Sequence, residues 1–161
     1  KKFFRLAPGR EVRLKHAYYI TCDQVIKDSE GRVTELRCSY DPQSRGGETP
    51  DGRKVKGTLH WVNQVDAVPL EVRLFDHLFV REDMVNLEGQ DFREFVNPDS
   101  LNVARAMAEP AAAALEPGAR CQFLRHGYFC ADEKDSTPGA PVFNRITGLR
   151  DTWSKKQKQG A

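Results

Sequence analysis

The chain has 161 residues, with 25 Lys and Arg against 23 Asp and Glu for a net charge of +2, and 39% hydrophobic residues. A chain of this size and composition folds around one good core or two small barrels. It is neither a disordered tail nor a helical membrane protein, since no apolar run approaches the roughly 20 residues that a bilayer requires. No basic-then-apolar leader opens it, so a cytoplasmic protein without a membrane partner is expected, and a start at Lys1 instead of Met is expected of a fragment.

The charge is spread unevenly. Residues 1–61 carry 13 basic against 8 acidic residues, 62–119 carry 4 against 11, and 120–161 carry 8 against 4. Two basic ends bracket an acidic middle, an asymmetry that suits a polyanion held on one side of the molecule.

Residues 1–15 hold Lys1, Lys2, Arg5, Arg10, Arg13 and Lys15 against the single acid Glu11, with Phe3 and Phe4 interleaved. Pro8-Gly9 reads as a turn. Residues 11–26 then alternate, with Val12, Leu14, Tyr18, Ile20 and Cys22 on one face and Arg13, Lys15, Ala17, Tyr19 and Thr21 on the other, which predicts a strand. Arg13, Lys15 and Tyr19 on a shared face suit a phosphate backbone with a base stacked nearby; the other reading is an ordinary solvent-facing strand surface. Residues 29–32 read as a turn, and 33–40 as the returning strand of a hairpin. Residues 41–52 collect Pro and Gly into a surface loop. The segment 53–62 is basic where it starts and apolar where it ends, and its Gly57 marks a bulge or a close backbone approach.

Residues 70–79 alternate as a strand, 82–98 form an acidic irregular connection, and 101–107 read as another strand stopped by Glu109-Pro110. A single helical turn is expected over 111–115, before Pro117-Gly118. Residues 120–130 then place Gln122 and Arg125 three positions apart among Phe123, Tyr128 and Phe129. A fork-shaped amide, a guanidinium and aromatic rings are what reading an unpaired base requires. The alternative is a buried strand with two polar residues at its rim. Regular pleating puts Gln122 and Arg125 on opposite faces, so joint reading of one base needs a bulge, a sharp twist or a strand end between them. Short strands at this spacing with Gly and Pro turns predict an all-β barrel or sandwich.

Cys22, Cys38, Cys121 and Cys130 show no C-x-x-C or other zinc spacing, and buried reduced thiols are expected, two disulfides being the alternative. His16, His60, His77 and His126 are scattered, so no metal site is expected. With no phosphate-cradling glycine loop and no G-x-S-x-G, the chain is expected to carry neither catalytic residues nor a cofactor of its own.

Several motifs, taken together, resemble one family: Arg5-Leu6, Glu11-Val12-Arg13-Leu14, Asp51-Gly52-Arg53-Lys54-Val55-Lys56-Gly57, His60-Trp61-Val62, Gly127-Tyr128-Phe129-Cys130, and Phe143-Asn144-Arg145-Ile146-Thr147-Gly148-Leu149-Arg150-Asp151-Thr152-Trp153. They are similar to the C-terminal anticodon-binding region of glutaminyl-tRNA synthetase, a class I aminoacyl-tRNA synthetase. The resemblance implies antiparallel strands with long loops, forming one barrel over about residues 1–83, distal to the catalytic domain. Residues 84–161 would form part of a second, adjoining barrel, the other strands of which lie in absent chain. It further implies that Gln122 and Arg125 read the middle anticodon base, a uridine, that Arg5 contacts the third base, a guanine, and that Arg13 lies at the first base and its phosphate. Lys15, standing where the family often has an Arg, supplies a point charge. The implied partners are the anticodon loop of glutamine tRNA and an N-terminal catalytic domain of the same chain, in a monomer whose glutamine-charging chemistry uses ATP and Mg²⁺. The corresponding barrel of a non-bacterial glutamyl-tRNA synthetase and a standalone RNA-binding barrel are the alternatives.

Overall fold

The computed structural model describes residues 5–149. Its regular structure is almost entirely β, as expected, and the chain divides into two compact units, one running to Trp61 and one starting at Val62.

The first unit is a four-stranded sheet of β1 (Glu11–Leu14), β2 (Tyr19–Lys27), β3 (Val33–Asp41) and β4 (Thr58–Leu59), in the order β3-β2-β1-β4. The first three run antiparallel, and the short β4 lies parallel to β1. The single strand expected over 11–26 is in fact two strands. The chain reverses through 15–18, where Leu14 N–H donates to Tyr18 C=O at 2.9 Å and His16 takes a left-handed φ of 61°. Reversal puts Arg13 opposite Tyr19, so the two still share a face, but Tyr19 is only 5% exposed. Gly57, with φ 105°, leads into β4, and its C=O accepts the Arg13 N–H at 3.0 Å. After β3, Asp41 caps a 3₁₀ turn at Pro42–Gly47 by accepting the Gln43 N–H through its carboxylate at 2.9 Å.

The second unit is a five-stranded sheet in the order β6-β5-β9-β8-β7. Its elements are β5 (Val68–Phe75), β6 (Leu101–Ala108), the one-turn helix α1 (Pro110–Ala113), β7 (Arg120–Phe123), β8 (Gly127–Ala131) and β9 (Val142–Thr147). All neighbours are antiparallel except β5 and β9. The inner face packs Leu70, Val72, Phe129, Ala131 and Phe143 with Ala112 of α1, and Phe123 meets Phe129 and Phe143 at ring separations of 4.9 and 5.0 Å. Edge-on and tilted rings at that spacing are the favoured aromatic geometry. β5 belongs here because it pairs with β6 along its whole length, Val68 opposite Ala108 through Phe75 opposite Leu101. Both strand orders are open among the described residues, so the expected barrels are seen as two sheets. Of the closing motif, Arg150 to Trp153 lie outside the described residues.

Candidate nucleic-acid interface

The stretch 120–130 is a β7–β8 hairpin and not one strand. Its turn, 124–126, is closed by the His126 N–H donating to the Phe123 C=O at 2.9 Å, and Arg125 occupies it with φ 69°. A left-handed residue in so short a connection lets two antiparallel strands meet without splaying. The strand therefore ends between Gln122 and Arg125, one of the arrangements under which both side chains reach one ligand.

The register sorts the aromatic residues that look equivalent in the sequence. Gln122 pairs with Tyr128 and Arg120 with Cys130, so Arg120, Gln122 and Tyr128 share the outward face. Cys121, Phe123 and Phe129 point the other way, into the core cluster. Gln122 and Arg125 are exposed, and Tyr128 is 46% exposed beside Gln122. Tyr128 is thus the ring available to stack, a role that period-two alternation could have assigned once the hairpin was known. Gly127 holds the base of the turn. Its φ is 151°, and a Cβ there would come 2.5 Å from the Thr147 carbonyl oxygen of β9.

On the same outward face of the sheet, where Arg73 pairs with Asn144 and Asn144 with Cys130, a polar cluster ties the β8–β9 connection to β5. Arg73 donates to Glu71 at 2.9 Å and to Asp135 at 2.6 Å. Asp132 accepts the Asp135 N–H at 2.9 Å, the Asn144 amide at 2.6 Å and the Lys134 N–H at 2.9 Å. These donors, in that order of weight, hold the Asp132 carboxyl down at about 2.

In the first unit, Arg5 is exposed ahead of β1. Arg13 is half-buried; its Nη2 donates to Gly46 C=O at 2.9 Å, and a side chain at Gly47 would collide with its guanidinium. Its Nε is buried with no hydrogen-bond partner. Lys15 is also half-buried, its N–H donating to Leu59 C=O at 3.0 Å and its C=O accepting the Trp61 indole N–H at 3.0 Å. Tyr19, which shares Arg13's face, is covered by the 3₁₀ turn. Its hydroxyl donates to Gly47 C=O at 2.7 Å and its N–H to the Ser44 hydroxyl at 2.7 Å, so its ring is closed to a base.

The basic run 53–56 also separates. Arg53 donates to Glu11 through Nε (3.1 Å) and Nη2 (2.9 Å), to Asp51 through Nη1 (2.8 Å), and to Asp41, while lying 5.4 Å from the Tyr19 ring centroid. Three carboxylates raise its already high pKa further, Glu11 contributing most, and Arg53 in turn holds Asp41 below the usual carboxylate range. Arg53 is therefore an internal clamp, which residue type alone did not reveal. Lys54 and Lys56 face solvent.

Two sequence models described as the anticodon-binding domain of class I tRNA synthetases (E and Q) match the chain, one over residues 1–41 and one over 58–132. The chain belongs to this anticodon-binding family. It is 56% identical over 162 residues to a glutamine–tRNA ligase of Nitrobacter winogradskyi, a match that covers the whole chain. Against the glutamine–tRNA ligases of Clostridium kluyveri and Vibrio parahaemolyticus it is 49% identical, over 95% and 99% of the chain. In each case the chain spans 28% of the relative's length. The family assignment bears on both described units, one model matching within the first and the other reaching from β4 to the end of β8. Among the described residues no three His, Cys, Asp or Glu side chains are grouped to hold a metal ion, and no helix is long and apolar enough to cross a membrane.

Proposed function

We propose that this chain is the anticodon-recognition module of a glutamine–tRNA ligase, binding the anticodon loop of glutamine tRNA so that a catalytic domain N-terminal in the same chain attaches glutamine with ATP and Mg²⁺. The whole enzyme acts as a cytoplasmic monomer. In that reaction the part of this chain is to select the tRNA. Gln122 and Arg125 read the middle uridine, Arg5 the third base, and Arg13 the first base and its phosphate, while Lys15 adds a point charge. The observation that carries this reading is the β7–β8 hairpin, where exposed Gln122 and Tyr128 lie side by side on one face and exposed Arg125 occupies the turn. An amide beside a phenol ring matches a base held by its edge and its face at once.

The test is binding to the isolated anticodon stem-loop of glutamine tRNA and to one with the middle uridine replaced, at two salt concentrations. Discrimination that survives high salt and disappears in Gln122→Ala/Arg125→Ala is the expected result. Equal, salt-sensitive binding to both RNAs would refute base reading by this hairpin, because phosphate contacts alone are sequence-blind.

A further inference from the structure

Cys22 and Cys38 are direct cross-strand partners on β2 and β3. The hydrogen bonds of Cys22 reveal which kind of pair they form. Its N–H donates to Arg10 C=O at 3.3 Å and its C=O accepts the Gly9 N–H at 2.9 Å. A strand residue sends both groups to the same side, so neither engages Cys38, and the two cysteines form a non-hydrogen-bonded pair. Such pairs bring Cα atoms to about 4.5 Å with side chains on one face, inside the span that a disulfide bridges.

We propose that Cys22 and Cys38 are an oxidisable dithiol that closes to a cross-strand disulfide. Both thiols are free, Cys38 exposed and Cys22 fully enclosed, which separates their roles. The Cys38 thiolate attacks a low-molecular-weight disulfide RSSR, forming Cys38–S–SR and releasing one thiolate. The Cys22 sulfur then attacks the Cys38 sulfur and expels the second thiolate. Two protein thiols and RSSR become one protein disulfide and two RSH, the two electrons passing to RSSR.

Burial and the adjacent Cys22 push the Cys38 thiol above its usual range, which slows the first attack without changing its product. Closure would lock β3 to β2 at the residue whose backbone holds Gly9 and Arg10, the segment that joins Arg5 to β1. The chain contains its own control. Cys121 pairs with Phe129 and Cys130 with Arg120, so these two cysteines stand one register step apart and point to opposite faces.

The experiment is to incubate the chain with oxidised glutathione, alkylate the remaining thiols, and map linked peptides by mass spectrometry. The expected result is loss of two of the four thiols, a mass lower by two hydrogens, and a Cys22–Cys38 peptide pair that dithiothreitol separates. Cys38→Ser, at an exposed position with the fold checked by circular dichroism, should abolish the link and leave Cys121 and Cys130 alkylated. Glutathione retained on Cys38 without closure, a link between two chains, or a link through Cys121 or Cys130 would each overturn the proposal.

Discussion

Up to Trp61 the chain carries 13 basic and 8 acidic residues, and from Val62 onward 12 and 15. The first unit encloses few side chains, among them Val12, Tyr19, Cys22 and Ser44, and leaves β3 exposed from Val33 to Tyr40. Its long loop is held by polar ties, with Arg53 across Glu11, Asp41 and Asp51 and Arg13 on Gly46. The second unit encloses an apolar cluster under its sheet and presents its candidate reading residues on the opposite face. The difference is one of separability. In the second unit Gln122 and Tyr128 can change while Phe123 and Phe129 keep the core. In the first, Arg13 both holds the loop and carries the proposed phosphate contact, so stability and binding meet in one side chain.

That contrast can be broken or sharpened by substitution. The largest effect is expected from Phe143→Ala, which empties a fully enclosed site in the second unit; unfolding in denaturant should show a loss of about 3–5 kcal/mol. Gly127→Ala must relieve both a left-handed backbone and a collision with Thr147, at a cost of about 1–3 kcal/mol. If it also lowers stem-loop affinity, the hairpin's geometry and not only its side chains matters for binding.

Tyr128→Ala tests separability directly. Affinity for the anticodon stem-loop should fall by about 1–3 kcal/mol with no change in the denaturation midpoint. A midpoint that moves as much as the affinity would erase the distinction between the units. Arg13→Ala is the counterpart: it should weaken binding to all stem-loops alike, reduce the salt slope by about one, and speed proteolysis of the loop that Gly46 anchors.

The smallest effect is in acid. The folded pKa of Asp132 is lowered from 3.8 to about 2, so the stability it contributes is fully present above 3.8 and is lost as pH falls through about 2. Acid unfolding of Asp132→Asn should lack that component.

Much of the fold was legible because it rests on local chemistry. The hairpin of β2 and β3 follows from alternation around the turn at 29–32, and the helical turn before Pro117-Gly118 from its alanines. The two reversals that matter most were not legible. The turns at 15–18 and 124–126 contain no Gly or Pro, and His16 and Arg125 take left-handed conformations that nothing in their residue types demands. Both reversals also leave an odd number of residues between paired ends, Arg13 opposite Tyr19 and Phe123 opposite Gly127, so period-two alternation crosses them without a break in phase and each folded strand reads as one that runs on.

The sequence by itself determined the all-β class, the basic ends and the family motifs, because these depend on composition, short-range pattern and residue identity. Only the tertiary structure decided which cations and rings remain available to a ligand. Arg53 and Tyr19 are consumed internally by groups distant in sequence, Tyr128 is presented by its register with Gln122, and Cys22 is brought opposite Cys38. Each depends on strand pairing and loop closure, which bring together residues that no local pattern connects.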